Sequence, residues 1–271
     1  LLTGDGAYVV DSGDGVSEQL ARANVSLRQV KAVVLSHLHF DHTAGLFGIS
    51  RLRWQTSITS PLTIYGPPGT QQLVDGILSA MGPAVEAGYA YPGEPHPPFH
   101  PGISVVEIRG GATFDLGATH VTAAKNTHYT FPPGSADDRK FESLSLRFDT
   151  PGRSIVYTGD TGVSAAVERL ARGADLLVSE MIDYDGTVAE IRRTSPAMPP
   201  AALNGLETHL RDHHLTPAQV GELAHTAGVH AVVVTHLSAP EADAGQTLEY
   251  LRQIAQSYSG PVIIARDLEG F

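Results

Sequence analysis

The alternation of short apolar runs with amphipathic helical patterns is the sequence feature that most restricts the fold of this chain. Helical patterns begin at Val16, Thr70, Val163, Thr216 and Ala244. Between them lie apolar runs that predict mostly buried strands, at 7–11, 31–36, 62–66, 104–108, 118–124, 143–148, 154–160, 176–180, 231–236 and 261–265. Strands and helices interleave through both halves, which predicts an α/β protein with two sheets and helices outside them.

Two proline-rich stretches interrupt this alternation. Residues 89–102 carry five prolines and residues 192–205 carry three. Irregular stretches of this length are either connectors or lids over a site. The chain of 271 residues is within the reach of one fold. We therefore expect a single domain over 1–271, with 89–102 and 192–205 as lids or connectors.

Charge and cysteine content restrict the partners and the metal ligands. The formal net charge of -11 argues against a surface that tracks phosphate backbones, although a local basic or metal-charged cleft can still bind an anion. The chain has no cysteine, so any metal must be bound through nitrogen and oxygen. No apolar run approaches the roughly 20 residues that span a bilayer, so we expect no membrane partner. A cytoplasmic location is expected, with secreted and periplasmic locations left open because the sequence starts without methionine.

A cluster of ligand-type side chains follows the second apolar run. The stretch "VVLSHLHFDH" places His37, His39, Asp41 and His42 directly after a buried strand, where α/β sheets bind their ligands. On an extended loop His37 and His39 point the same way. One metal ion needs about four ligands, and four from one loop cannot easily surround it. Two ions, each completed by residues from elsewhere, resolve this difficulty.

Three other predicted strand ends supply the missing ligand types. His128 follows "TAAKNT", Asp160 lies in "YTGDTG" and His236 lies in "VVVTHLS". An aspartate can give one oxygen to each of two cations about 3.5–4 Å apart. Alone, each histidine would more often be a hydrogen-bonded core residue, and Asp160 a turn residue. Together with the first cluster they indicate a binuclear metal site.

These motifs resemble the metallo-β-lactamase superfamily, in the branch that contains ribonuclease Z with its arylsulfatase-like and phosphodiesterase relatives. H-x-H-x-D-H, the downstream histidine, "TGDT", "THLS" and "VVDSG" carry the resemblance over nearly the whole chain. It implies an αββα four-layer sandwich. It also implies a first zinc on His37, His39 and His128, a second zinc on Asp41, His42 and His236, Asp160 as the bridge, and Asp11 as a support that binds no metal. Mn²⁺ or iron would suit the same ligand types.

The stretch "DHHLTPAQVGELA" adds a match to the same branch, which carries a histidine before a threonine-capped helix. His214 fits this position, with Glu180 in "LLVSEM" as its partner. Such a histidine can give a proton to a leaving group or hold an anion. The predicted catalytic residues are therefore Asp41, His214 and Glu180. His213 remains the alternative, because a shift of the motif by one residue would place it in the same role. The plainer interpretation is that both histidines lie at the start of a helix and have no catalytic role.

The expected activity is metal-dependent hydrolysis through a hydroxide that two zinc ions hold near neutral pH. The expected substrate is a small molecule with a phosphodiester, aryl sulfate or ester bond. A lactonase or β-lactamase-type activity, a nucleic-acid-processing or iron-dependent redox relative, and a non-catalytic binding protein are the alternatives. A homodimer is compatible with the branch.

Transfer RNA is not expected as a substrate. Ribonuclease Z has a long arm between the third histidine and the bridging aspartate, and here only residues 129–159 lie between them. Residues 179–182 read "SEMI" where the family has "HEAT", and the net charge is acidic.

Overall fold

The computed structural model describes residues 1–94, 102–240 and 244–271. The chain divides into two compact units, Leu1–Ile108 with Gly270 and Arg109–Glu269 with Phe271. Each unit contains one mixed sheet with helices, so the predicted α/β class with two sheets is confirmed. That the chain functions as one hydrolase domain stays a prediction.

The first unit is built on a five-stranded sheet in the order β1-β2-β3-β4-β5. Its strands are β1 (Leu2–Thr3), β2 (Gly6–Val10), β3 (Val30–Val34), β4 (Leu62–Gly66) and β5 (Ile103–Glu107), and its helices are α1 (Val16–Arg22), α2 (Phe40–Thr43), α3 (Leu46–Gln55) and α4 (Thr70–Ala87). β1 pairs antiparallel with β2, and all later pairs are parallel. Parallel strands end at one edge of a sheet, so β2 and β3 deliver the loops that follow them to the same place.

β3 was predicted clearly from the sequence because most of the strand is apolar and buried. Val33, Val34 and Leu35 are fully buried, because a parallel strand with neighbours on both sides is apolar throughout. Val33 and Leu35 belong to a core that includes Leu46 and Ile49 of α3. Each such side chain contributes about 1.5–3 kcal/mol of burial free energy. The loop that follows β3 therefore leaves from a rigid element.

The second unit is built on a seven-stranded sheet in the order β12-β11-β10-β9-β8-β7-β6. Its strands are β6 (Thr113–Leu116), β7 (Thr119–Lys125), β8 (Leu144–Asp149), β9 (Ser154–Tyr157), β10 (Leu176–Ile182), β11 (Val232–Ser238) and β12 (Val262–Ile264). Its helices are α5 (Ala136–Lys140), α6 (Ala165–Ala171), α7 (Tyr184–Thr194), α8 (Pro200–Asp212), α9 (Pro217–Ala227) and α10 (Ala244–Ala255). The strands from β9 to β12 are parallel to one another, and those from β6 to β9 are antiparallel.

The helix that begins after Thr216 has the predicted ends. The side chain of Thr216 accepts from the backbone N–H of Gln219, and the capping box with Gln219 is complete. Gly228 ends the helix with φ 65°, a left-handed conformation that glycine adopts without steric cost. The apolar face of this helix packs with β10 and β11 in the main core of the unit, which includes Val220, Leu177 and Val234. This anchors the segment that precedes Thr216.

The proline-rich stretch 192–205 is mostly helical, although it was predicted to be irregular. Residues 192–194 end α7 and residues 200–205 begin α8, so only 195–199 are irregular. Pro200 occupies the first turn of α8, where proline fits because its missing N–H has no intrahelical partner. In the other stretch, 95–101, with His96 and His100, lies outside the described residues. The lid roles stay predictions.

Within the described ranges, no helix has both the length and the hydropathy to cross a membrane.

Candidate metal centre

The loop after β3 gathers the histidines of the first unit. His37 is fully buried and His42 is 2% exposed. The ring of His37 lies 4.7 Å from that of His39 and 4.1 Å from that of His42, between ring centroids. His39 caps α2 with an extended backbone (φ -65°, ψ 154°), which turns Asp41 and His42 onto the first helical turn. The Asp41 carboxylate lies 3.5 Å from His42 Nε2, so the predicted four-residue cluster is compact within this unit.

Asp11, at the end of β2, orients this loop. Its Oδ1 accepts from the backbone N–H of Ser36 at 2.7 Å, and its Oδ2 accepts from the Ser36 hydroxyl at 2.7 Å. Oδ2 also accepts from His42 Nδ1 at 2.7 Å. A carboxylate that binds Nδ1–H of a histidine leaves the lone pair on Nε2, which is the usual second contact of a metal-binding imidazole. These contacts match the supporting role predicted for Asp11.

The same carboxylate acts on His37 through a serine. Ser36 Oγ lies 3.0 Å from His37 Nδ1. Because the hydroxyl gives its only proton to Asp11, it accepts from Nδ1–H of His37. His37 is therefore also held in the tautomer with its lone pair on Nε2. One carboxylate sets the tautomers of two histidines in this unit.

In the second unit, Asp160 lies between two histidines. Its Oδ2 is 4.0 Å from His128 Nε2, and its Oδ1 is 3.7 Å from His236 Nε2. The aspartate is 2% exposed and His128 is 1% exposed. Each carboxylate oxygen thus faces a different imidazole nitrogen, an arrangement suited to a carboxylate shared between two cations.

Local backbone features aim both of these histidines. His128 follows β7, its Nδ1–H donates to the carbonyl of His213 at 3.0 Å, and its backbone N–H donates to Asn126 Oδ1 at 3.1 Å. His236 lies in β11 where the register with β10 shifts, and its φ is 46°. A bulge with a left-handed non-glycine residue is costly and re-aims a side chain. Here it accompanies the approach of His236 to Asp160.

His214 pairs with Glu180, as the sequence predicted. Its Nδ1 lies 3.3 Å from Glu180 Oε2, while Glu180 Oε1 accepts from the backbone N–H groups of Leu215 and Thr161 at 3.0 and 3.2 Å. Burial raises the pKa of Glu180, and the hydrogen bond from His214 opposes that rise. Glu180 is 1% exposed, so three donors compensate a carboxylate that water does not reach.

His209 lies in a histidine cluster of the second unit that the sequence did not predict. It lies on α8, and one ligand nitrogen from each of His209, His128 and His214 lies within 4.8 Å of the other two. His209 Nδ1 is 2.8 Å from His213 Nδ1, and His213 Nε2 is 2.7 Å from Thr130 Oγ1. Burial lowers the pKa of His213. The side chain of His213 thus belongs to a network with His209, and the pair with Glu180 is formed by His214.

The donor types fit a divalent transition metal. Each unit supplies imidazole nitrogens and a carboxylate, the ligands that zinc, manganese and iron accept in a chain without cysteine. The first unit carries His37, His39, Asp41 and His42, and the second carries His128, Asp160 and His236. The tautomers of His37, His42 and His128 place their lone pairs on Nε2. The joint use of both sets for two ions stays a prediction.

Comparison with known proteins identifies the family. A β-lactamase superfamily domain model matches residues 7–237. The ribonuclease Z of Mycobacterium bovis (strain BCG / Pasteur 1173P2) is 30% identical over 99% of this chain and 88% of its own length, and that of Mycobacterium avium (strain 104) gives the same values.

Solved structures show the same fold. The metallo-β-lactamase fold protein YhfI from Bacillus subtilis has a TM-score of 0.66 at 21% identity, over 98% of this chain and 87% of its own. The short form of human tRNase Z has a TM-score of 0.64 at 20% identity, over 99% and 89%. The fold is that of a metallo-β-lactamase, and the enzyme class is hydrolase. The chain belongs to the ribonuclease Z branch of the metallo-β-lactamase superfamily.

These relatives overturn the predicted partner. The expectation of a small-molecule substrate, with transfer RNA unlikely, is wrong, because the relatives that match over 99% of the chain are ribonucleases Z. That prediction rested on the acidic net charge, the short connection at 129–159 and the "SEMI" stretch at 179–182. Phosphate binding depends on local charge and on bound metal ions, which a total of -11 does not describe.

Proposed function

We propose that this protein is a metal-dependent ribonuclease that hydrolyses a phosphodiester bond of transfer RNA. The observation that carries the proposal is the 30% identity with ribonuclease Z over 99% of the chain. The likeness to human tRNase Z, at 20% identity, supports the fold and agrees with this choice of substrate. The geometry within each unit supports the metal dependence.

Two divalent ions, with zinc as the expected metal, are proposed to bind through both sets of ligands. His37, His39 and His128 would hold one ion, Asp41, His42 and His236 the other, and Asp160 both. The support is the fixed tautomers of three of these histidines and the two oxygens of Asp160 facing different imidazoles. When bound, such ions lower the pKa of a coordinated water toward 7 and polarise a phosphoryl oxygen.

His214 is proposed to protonate the leaving oxygen. Its Nδ1–H is directed to Glu180, so a proton on Nε2 is the one it can transfer. Hydrolysis joins the oxygen of water to phosphorus and breaks one P–O bond, and the departing ribose oxygen takes that proton. Glu180 would stabilise the imidazolium that precedes transfer, because a carboxylate beside Nδ1–H favours the charged ring.

The test is cleavage of two labelled RNAs by the metal-loaded protein. One is a transfer RNA precursor with a 3′ extension, and the other is an unstructured RNA of equal length. We expect cleavage of the precursor at one position, abolished by a chelator and restored by Zn²⁺ or Mn²⁺. Metal-loaded protein that leaves the precursor intact, or cleavage that survives full removal of metal, would refute the proposal.

A matched pair of variants tests the proton donor. Glu180→Gln keeps the size of the side chain but removes the charge that supports the His214 imidazolium. We expect its kcat to fall about 100- to 10,000-fold, the range for a lost general acid, with little change in KM. Glu222→Gln changes an exposed glutamate and should cleave like the wild type. Equal kcat in both variants would remove Glu180 and His214 from the mechanism.

A further inference from the structure

The proposed mechanism gives no role to the side chain of His213, although its backbone lies beside the candidate metal centre. His213 ends α8 as its C-terminal cap, and its backbone N–H donates to the carbonyl of His209 at 3.0 Å. Two residues later, the backbone N–H of Leu215 donates to Glu180 Oε1 at 3.0 Å, and its carbonyl accepts from the N–H of Ile182 at 2.8 Å. Hydrogen bonds to α8 and to β10 thus hold this segment in place.

The loop that carries His128 is held from two directions. Its first part bonds toward β8, where the backbone N–H of Asn126 donates to the carbonyl of Ser143 at 2.9 Å. Its next part bonds to His213. His128 Nδ1 donates to the carbonyl of His213 at 3.0 Å, and Thr130 Oγ1 lies 2.7 Å from His213 Nε2. One residue therefore contacts the loop at two points, through its backbone and through its ring.

The two contacts restrain different motions of the loop. The hydrogen bond from His128 Nδ1 fixes one point, and the loop could still turn about it. The contact at Thr130, two residues further along the chain, fixes a second point and so restricts that rotation. The threonine hydroxyl can donate or accept, so this contact forms with either tautomer of His213. Together they define where the loop lies and how the His128 ring is directed.

We propose that His213 is a positioning residue for the metal ligand His128, and that its ring acts through Thr130. The inference rests on the metal centre of the proposed function. The ring contact keeps the loop where Nδ1 of His128 reaches the carbonyl of His213. The lone pair of His128 then stays on Nε2, which lies 4.0 Å from Asp160 Oδ2. Metal-binding histidines depend on such an outer contact for their tautomer and direction. Loss of the ring contact weakens metal binding while every ligand atom remains.

Nitrogen NMR of the metal-free, full-length chain is the first measurement, with the variants His213→Phe and Thr130→Val. Phenylalanine keeps the size of the ring and the backbone carbonyl but makes neither hydrogen bond of the imidazole. Valine keeps the shape of threonine and lacks its hydroxyl. The shifts of the two ring nitrogens of His128 report its tautomer. We expect the Nδ1–H tautomer in the wild type and a mixture of both tautomers in each variant.

Calorimetric titration with Zn²⁺ measures the consequence for metal binding. The affinity of His213→Phe should fall about 10- to 100-fold, the range for a disturbed outer contact of a metal ligand. That of Thr130→Val should fall about 2- to 12-fold, which corresponds to one lost neutral hydrogen bond. Because Thr130 acts through His213, adding Thr130→Val to His213→Phe should lower the affinity no further.

Thr226→Val is the matched control, since Thr226 is an exposed threonine of α9. It should keep the tautomer of His128 and the Zn²⁺ affinity of the wild type. A merely structural role for His213 would lower the free energy of unfolding alone. An unchanged His128 tautomer and Zn²⁺ affinity in His213→Phe, or additive losses in the double variant, would therefore overturn the inference.

Two further outcomes remain decisive. If His213→Phe alters the circular dichroism of the chain, the comparison of Thr130→Val with Thr226→Val decides by the same criteria. A wild type that binds no Zn²⁺ refutes the proposed function, whereas the tautomer of His128 is measured without metal and still decides this inference. The two proposals therefore fail separately.

Discussion

Replacement of Asp11 by asparagine tests how the histidine loop is prepared for metal. The side chain keeps its size, and asparagine tolerates the left-handed backbone of this residue (φ 56°). Its Oδ1 can still accept from the backbone N–H of Ser36. In the opposite orientation the NH₂ group of the asparagine would face the backbone N–H of Ser36, and two donors would meet. The NH₂ group therefore takes the position that Oδ2 has in Asp11.

The new NH₂ group then faces two groups that donated to Oδ2. The Ser36 hydroxyl can turn and accept, but it then gives its proton to His37 Nδ1. His42 must place its lone pair on Nδ1 to accept from the amide. Both histidines thereby move their proton to Nε2, which cannot bind a metal. Asp11 and Ser36 act on the metal only through the histidines that they contact. Loss of such a supporting contact typically lowers metal affinity about 10- to 100-fold, so we expect a loss of about 1.4–2.7 kcal/mol.

Calorimetric titration of the metal-free protein with Zn²⁺ measures this loss. Asp14→Asn is the control, since Asp14 lies exposed in the same loop and should bind like the wild type. Without metal, Asp11→Asn should unfold with about 2 kcal/mol less free energy, the typical loss for a hydrogen bond to a charged group. Zn²⁺ affinity within twofold of the control would show that Asp11 does not set the tautomers.

Three further changes test the packing of the first unit by urea unfolding. Gly13→Ala should destabilise the chain by more than about 2 kcal/mol, because its Cβ would lie 2.2 Å from the carbonyl oxygen of Asp41; wild-type stability would disprove that this contact is rigid. Gly76→Ala, in open space on α4, should instead stabilise by about 0.8–1.0 kcal/mol, and a loss would contradict the helix. Burial, with the hydrogen bond to Asp5, raises the pKa of Tyr8 to about 12. Protonated Tyr8 therefore stabilises the folded state fully below pH 10, and the free energy of unfolding falls by about 2–3 kcal/mol as the pH rises to 12. Tyr8→Phe should not show this fall. If the stability of the wild type and of Tyr8→Phe changed in parallel with pH, Tyr8 would not be its cause.

The predicted strands were found because their physical signal is strong. Buried parallel strands such as β3 and β11 are continuous apolar runs, which few other structures require. β1 (Leu2–Thr3) and β6 (Thr113–Leu116), both at sheet edges, were missed because neither contains a continuous apolar run, whereas the edge strand β12 (Val262–Ile264) does. Edge strands need few apolar residues, since one side has no neighbour.

Helix α8 was missed for a different reason, and with it His209. Prolines at 199 and 200 suggested an irregular stretch, although proline in the first turn is also a start signal. His209 and His213 are four residues apart, so they share one face of a helix. That spacing was the available signal. This spacing has meaning only in a helical segment, and the prolines of 192–205 predicted an irregular one.

The substrate could not be derived from the ligands, because those residues specify hydrolysis and not the molecule hydrolysed. The net charge of -11 suggested an answer that the relatives contradict. A total charge averages over a surface, whereas an RNA phosphate responds to the charges within about 10 Å of it. Substrate choice in this chain therefore has to be sought in local groups.

A common device holds the histidines of both units in place. His42 and His37 are fixed through Asp11 and Ser36 in the first unit, and His128 through the carbonyl of His213 in the second. Every one of these contacts lies inside a single unit. Each unit can therefore orient its ligands as it folds, before any metal binds. Most of the conformational entropy of these side chains is then lost during folding and not when the metal binds. Metal binding should therefore gain affinity from preorganisation.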